Sequence, residues 1–265
     1  MIITINWFIN LNPAFQALIA TAFTWGVTML GASIVLFFKK INKNIMDAML
    51  GFAGGVMIAA SFWSLLSPSI DMAESLNMIP WLVSFLGFFA GGVLLFIGDK
   101  IFDFYNKHNK SKYKRITMLI SSITLHNIPE GLVVGVAFGS VAYGLEGSTI
   151  LSACLLALGI GLQNFPEGTA VSVPLRREGM SRGKSFIIGS LSGIVEPISG
   201  VIGALLVMKI RTILPFLLAF AAGAMIYVVV EEIVPESQTN KRKDLMALFT
   251  LIGFSIMMIL DVALG

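Results

Sequence analysis

Two six-residue stretches hold the residues best suited to chemistry: His126-Asn127-Ile128-Pro129-Glu130-Gly131 and Gln163-Asn164-Phe165-Pro166-Glu167-Gly168. Both read polar, Asn, apolar, Pro, Glu, Gly, and the second follows the first by 37 residues. In each copy the first polar residue and the Glu are four apart, so on a helix they share a face and can converge on one ion. Asn127 and Asn164 stand three before the same glutamates and bring a second oxygen donor near that face. Two ligand sets can therefore share Glu130 and Glu167 as bridges. Each proline lacks an N–H, which leaves the carbonyls of Leu125 and Leu162 unpaired beside these groups. Within a membrane such a break is tolerated where it lines a cavity. Further carboxylates follow: Glu196-Pro197 between Gly193 and Gly200, then Glu231-Glu232 before Pro235 and Glu236.

Imidazole, carboxylate and amide without thiolate suit Zn²⁺, Fe²⁺, Mn²⁺ or Cd²⁺ better than Cu⁺, which prefers soft sulfur. Glu130, Glu167 and Glu196 would bring three negative charges into low dielectric, an arrangement that calls for one or two compensating dications. A lone histidine in an apolar helix is often a hydrogen-bonded packing residue. The repeated pattern, with its Glu retained, is what points His126 toward a ligand role. Taken by itself, Met57 reads as core filler. Asp47, Asp71, Asp99 and Asp261 fall near span ends and read as solvated interfacial charges, and His108 as a solvated loop residue. The single cysteine, Cys154, sits in an apolar run; it excludes a disulfide framework and a multi-cysteine metal site and reads as a small buried hydrophobe.

These residues need helices inside a bilayer to position them. Of 265 residues, 56% are hydrophobic and 12% charged, and the mean hydropathy of +0.87 lies outside the range of a water-soluble domain. Residues 1–38 carry no Asp, Glu, Lys or Arg, and the charge-free runs 48–70 and 75–98 are long enough to cross a hydrocarbon core. Hydropathy and turn signals predict eight spans near 13–38, 46–68, 79–99, 116–139, 148–172, 185–208, 211–233 and 244–263. Continuous apolar runs of this kind exclude a closed barrel of alternating strands. The expectation is an all-α polytopic membrane protein, one transmembrane domain over 1–265 with no separate soluble domain. The first segment has no basic stretch before its long apolar run, so it reads as a retained anchor and not a cleaved signal. An ionisable group inside a span costs roughly 2.5–3.5 kcal/mol on insertion, which marks it as functional by default.

Orientation follows from the basic residues. Sixteen of the 18 Lys and Arg fall in alternate loops on one side, in clusters at 39–43, 100–115, 176–184 and 241–243; Lys209 and Arg211 fall on the other. Cytoplasmic loops retain such residues. Both termini are therefore expected outside, with an acidic outer loop holding Asp71 and Glu74. The net charge of +3 is spent on topology, so no nucleic-acid partner is expected.

The two motifs in consecutive spans, with Glu196-Pro197 in the next, resemble the ZIP (Zrt/Irt-like) divalent metal transporter family. The second span, Gly51-Phe-Ala-Gly-Gly-Val-Met57-Ile-Ala-Ala-Ser-Phe-Trp-Ser-Leu-Leu-Ser-Pro68, resembles its GufA-like branch, and the likeness extends across all eight spans. The resemblance implies a binuclear site. Met57, His126, Glu130, Gln163 and Glu167 match one metal position, and Asn127, Glu130, Asn164, Glu167 and Glu196 the other. It implies an outer entrance at Asp71 and Asp261, and an inner exit at Glu232 with Glu231 and Asp47. It further implies a homodimer in a cell membrane (the plasma or bacterial inner membrane), an elevator-like shift of the site helices against a scaffold, and metal as cargo with no cofactor. Many relatives carry His where this chain has Gln163, which should weaken the first position and broaden metal choice. The histidine-rich inner loop of many eukaryotic members is absent here.

Two other functions compete. An intramembrane metalloprotease would need His-Glu-x-x-His with a free glutamate as base, whereas each motif glutamate here follows a proline. A proton-coupled carrier of an organic substrate could use the same carboxylates as relays. Bound metal separates that carrier from a metal transporter.

Overall fold

The computed structural model describes residues 7–37, 42–105, 114–145 and 148–264, and among them every regular element is a helix. They are α1 (Pro13–Phe37), α2 (Lys43–Ser75), α3 (Pro80–Tyr105), α4 (Lys114–Ala142), α5 (Ile150–Arg177), α6 (Arg182–Leu205), α7 (Val207–Ser237) and α8 (Lys243–Leu264). Local sequence sets several boundaries. The Asn42 side chain accepts from the Asn44 N–H to start α2; Thr149 and Ser152 form a reciprocal cap at α5; Ser181 accepts from the Lys184 N–H to start α6. Gly144 and Gly179, at φ of 63° and 91°, follow the ends of α4 and α5 in the left-handed region that glycine adopts without strain.

Seven of these helices are long and apolar enough to cross a membrane, namely all but α4. The 29-residue α4, which carries the first motif, packs between α6 and α7. Large apolar side chains such as Trp81, Phe85 and Phe89 of α3 and Leu251 and Ile259 of α8 point outward, as expected of helices bathed in lipid.

Several boundaries depart from the sequence expectation. α2 continues through a π-helical stretch at Ser61–Leu66 into Ser67–Ser75. Asp71 and Glu74 are thus on a helix and not in a loop. Pro68 follows the π-helical stretch, in the first turn of the last α2 segment. α6 ends at Leu205 and α7 begins at Val207, so Lys209 and Arg211 ride on the first turns of α7. Their long stems can carry the charge to the interface. α7 contains a second π-helical stretch, Val229–Ile233, and α6 is interrupted between Leu191 and Val195 into α6a and α6b.

The helices pack in two groups. α1, α4, α5 and α6 are mutual neighbours, while α3 packs on α7 and α2 on α8; the groups meet where α4 lies on α7 and α2 on α5. One end of the molecule gathers the start of α2, the end of α5 and the end of α7. There Asn240 donates to Asn44 Oδ1 at 3.0 Å, and Arg182 donates to the Leu36 carbonyl at 3.0 Å. The basic residues 176–184 and 241–243 therefore share an end with Lys43. Lys39, Lys40, Lys107, His108, Lys110 and Lys112 lie outside the described residues.

Candidate metal centre

The centre is built where α1, α4, α5 and α6b meet. Asn127, Glu130, Gln163, Asn164, Glu167 and Glu196 are all 0% exposed. Gln163 Nε2 donates to Glu130 Oε1, joining the two motifs directly. Asn164 Nδ2 donates to both oxygens of Glu196 at 2.9 Å, joining α5 to α6b, and Asn127 Nδ2 donates to the Ser192 carbonyl at 3.1 Å where α6 is interrupted. Glu167 lies within electrostatic reach of Glu196. The three amide nitrogens are thus spent on neighbours. Their oxygens, Asn127 Oδ1, Gln163 Oε1 and Asn164 Oδ1, are buried with no hydrogen-bond partner among the described residues. A buried acceptor without a donor is costly, and a hard or borderline cation is the partner such oxygens suit.

The glycine that closes each motif has a packing reason. A Cβ on Gly131 would lie 2.8 Å from the Glu196 Cα, and one on Gly168 would lie 2.8 Å from the Ala32 nitrogen. The residue after each motif glutamate therefore lies against a neighbouring backbone, α6b or α1, as small residues permit between membrane helices. The helices run unbroken through Pro129 and Pro166.

Residues that sequence reasoning passed over complete the cluster. Thr24 donates to Glu196 Oε2, and the Thr24 carbonyl accepts from Asn164 Nδ2 at 3.3 Å, with Thr28 one turn further along the same helix. Thr21, Thr24 and Thr28 are all 0% exposed. Their spacing of three and four in a charge-free span was the available signal: it places three hydroxyls on one helical face.

Met57 is 1% exposed in the main apolar cluster. The His126 side chain lies outside the described residues. Asp261 accepts from Ser64 at 2.8 Å, whereas Asp71 is exposed on the last segment of α2. Glu231 is exposed, lining a groove of about 390 Å³ with Phe88, Phe89 and Tyr227, while Glu232 is half-buried; the adjacent pair faces two directions. Asp47 overturns the expectation of a solvated charge. It is fully buried, its Oδ1 3.3 Å from Arg177 Nη1 and its Oδ2 2.8 Å from Asn240 Nδ2. Arg177 also pairs with Glu236. Position near a span end misled because the partners come from distant parts of the chain. Cys154 is half-buried against the main cluster. Among the described residues, no three side chains of His, Cys, Asp or Glu form a metal-binding group; the centre mixes carboxylates with amides.

Comparison with known proteins places the chain in a family. The family model "ZIP Zinc transporter" matches residues 107–261. Zinc transporter ZIP11 of Xenopus tropicalis is 36% identical over 332 aligned residues, covering 96% of this chain and 98% of the relative. Zinc transporter ZIPB of Bordetella bronchiseptica is 33% identical over 94% of this chain and 81% of its own length. Zinc transporter GufA of Myxococcus xanthus is 30% identical over 94% of this chain and 98% of its own. With seven apolar helices and matches running almost end to end, the chain is a multi-pass membrane protein that belongs to the ZIP zinc transporter family.

Proposed function

We propose that this chain carries divalent transition-metal ions, zinc foremost and Fe²⁺, Mn²⁺ or Cd²⁺ as further cargo, through the buried centre and into the cytoplasm. The observation that carries the reading is that Glu130, held by Gln163, and Glu196, held by Asn164, are buried together with Glu167 and three partnerless amide oxygens on adjoining helices. A small dication is matched by these carboxylate and carbonyl oxygens. The relatives named as zinc transporters support the same cargo. Neither the intramembrane protease nor the organic-substrate carrier finds support among them. The ion passes unchanged, so the role is transport and not catalysis, and zinc is cargo and not cofactor.

In this reading the single domain over 1–265 crosses the bilayer eight times, with α4 as the fourth span and both termini outside. Glu130 and Glu167 bridge two metals. Met57, His126 and Gln163 complete one position, and Asn127, Asn164 and Glu196 the other. Asp71 and Asp261 draw dications to the outer mouth, where negative charge raises their local concentration. Glu232, with Glu231 and Asp47, lies toward the exit. Two copies form the working homodimer. Metal analysis of detergent-purified protein tests the cargo: zinc or a similar ion at one to two per chain is expected, and metal-free protein that still binds an organic substrate would refute it.

A further inference from the structure

Glu196 is a carboxylate of the centre that meets α1. Thr24 of that helix donates to it, Thr28 stands close by, and Asn164 supplies an amide. Each hydroxyl also has a second acceptor one turn back on its own helix. Thr24 Oγ1 is 3.0 Å from the Thr21 carbonyl, and Thr28 Oγ1 is 3.4 Å from the Thr24 carbonyl. A threonine hydroxyl has one proton and a low barrier to rotation, so it can serve one of these acceptors at a time. Gly193 keeps the space around both groups open: a Cβ there would sit 3.0 Å from Glu196 Oε1 and 3.1 Å from Thr28 Oγ1.

We propose that Thr24 and Thr28 are positioning residues that stand in for the metal: they donate to Glu196 whenever the site carries no ion, and turn onto the Thr21 and Thr24 carbonyls when metal takes the carboxylate. The inference rests on the transport reading and deepens it. Any carrier cycle passes through a state without cargo, and in that state a buried carboxylate stripped of partners would be very costly. Donors that can let go and be satisfied elsewhere lower that cost without closing the site. Because they compete with the metal for the same lone pairs, they also weaken its binding and hasten its release. A stripe of threonines kept only for close packing would have neither effect.

The two roles differ in sign. Zinc titration of purified protein, with stopped-flow release into a chelator, compares the unaltered chain with Thr24→Val and Thr28→Val, which keep the shape and remove the donor. Zinc should bind about tenfold more tightly in each, the size of one hydrogen bond to a charged group, and leave correspondingly more slowly. Thr24→Ser, which restores the donor, should return affinity and release toward those of the unaltered chain. Should Thr24→Val fail to fold, Thr28→Val reads the same carboxylate. Weaker or unchanged zinc affinity in the valine variants, with binding still sensitive to Glu196→Gln, would overturn this inference alone. Zinc affinity indifferent to Glu196→Gln would overturn it together with the reading beneath it.

Discussion

An amide nitrogen cannot bind a metal ion, so Gln163 can serve one only through Oε1, the atom that lacks a hydrogen-bond partner, while its nitrogen is held by Glu130. Replacing it by an imidazole supplies a better zinc ligand. Gln163→His is expected to tighten zinc binding about tenfold or more, read by competition with a chromophoric chelator; no gain would mean that this side chain does not reach the ion. Proton competition belongs to the same scale. Carboxylates and imidazole bind metal only when deprotonated, so zinc affinity should fall as the medium is taken from about pH 7.5 to 5.5. An affinity that rose on acidification would rule out these ligands. The motif residues were legible because polar groups at helical spacing stand out in an apolar span. For Thr24 and Thr28 the spacing was the sole signal, since a hydroxyl in a span draws no notice until its partner, here 172 residues away for Thr24, is known.

Helices place these groups to within a hydrogen bond, and the contacts that do so are backbone against backbone. Gly168 lies against α1 at Thr28 and Ala32, while Gly159, nine residues earlier on the same helix, has nothing within 4 Å of its Cβ direction. Gly168→Ala should force α1 and α5 apart, costing about 1–3 kcal/mol and most of the zinc uptake. Gly159→Ala should be neutral or slightly stabilising. Thermal melting in detergent with uptake on the same samples checks both, and equal tolerance at the two positions would contradict the close approach. The existence of the helices was readable from charge-free runs. Their ends were less so: π-helical stretches in α2 and α7 keep the chain helical past points where proline and charge suggested a stop.

At the scale of the whole molecule the two helix groups are tied at their basic end by Arg177 of α5, which holds Asp47 of α2 and Glu236 of α7. Removing one partner of a buried pair leaves the other charge uncompensated. A double-mutant cycle of Asp47→Asn and Arg177→Gln should therefore give a coupling of about 1–2 kcal/mol in melting stability; a coupling near zero would return Asp47 to the role of an independent charge. Membrane insertion and the basic asymmetry were legible from composition, because lipid constrains the chain so strongly. The grouping of the helices was not, because it depends on which small-residue faces meet. Cargo is expected to cross through glutamates shared by two metals. Zinc uptake by proteoliposomes, comparing the unaltered chain with Glu130→Ala and Glu167→Ala at equal incorporation, tests it most directly. Uptake is expected in the unaltered chain and its loss in both variants, and either variant keeping more than a minor fraction of the original rate would contradict the shared-bridge centre.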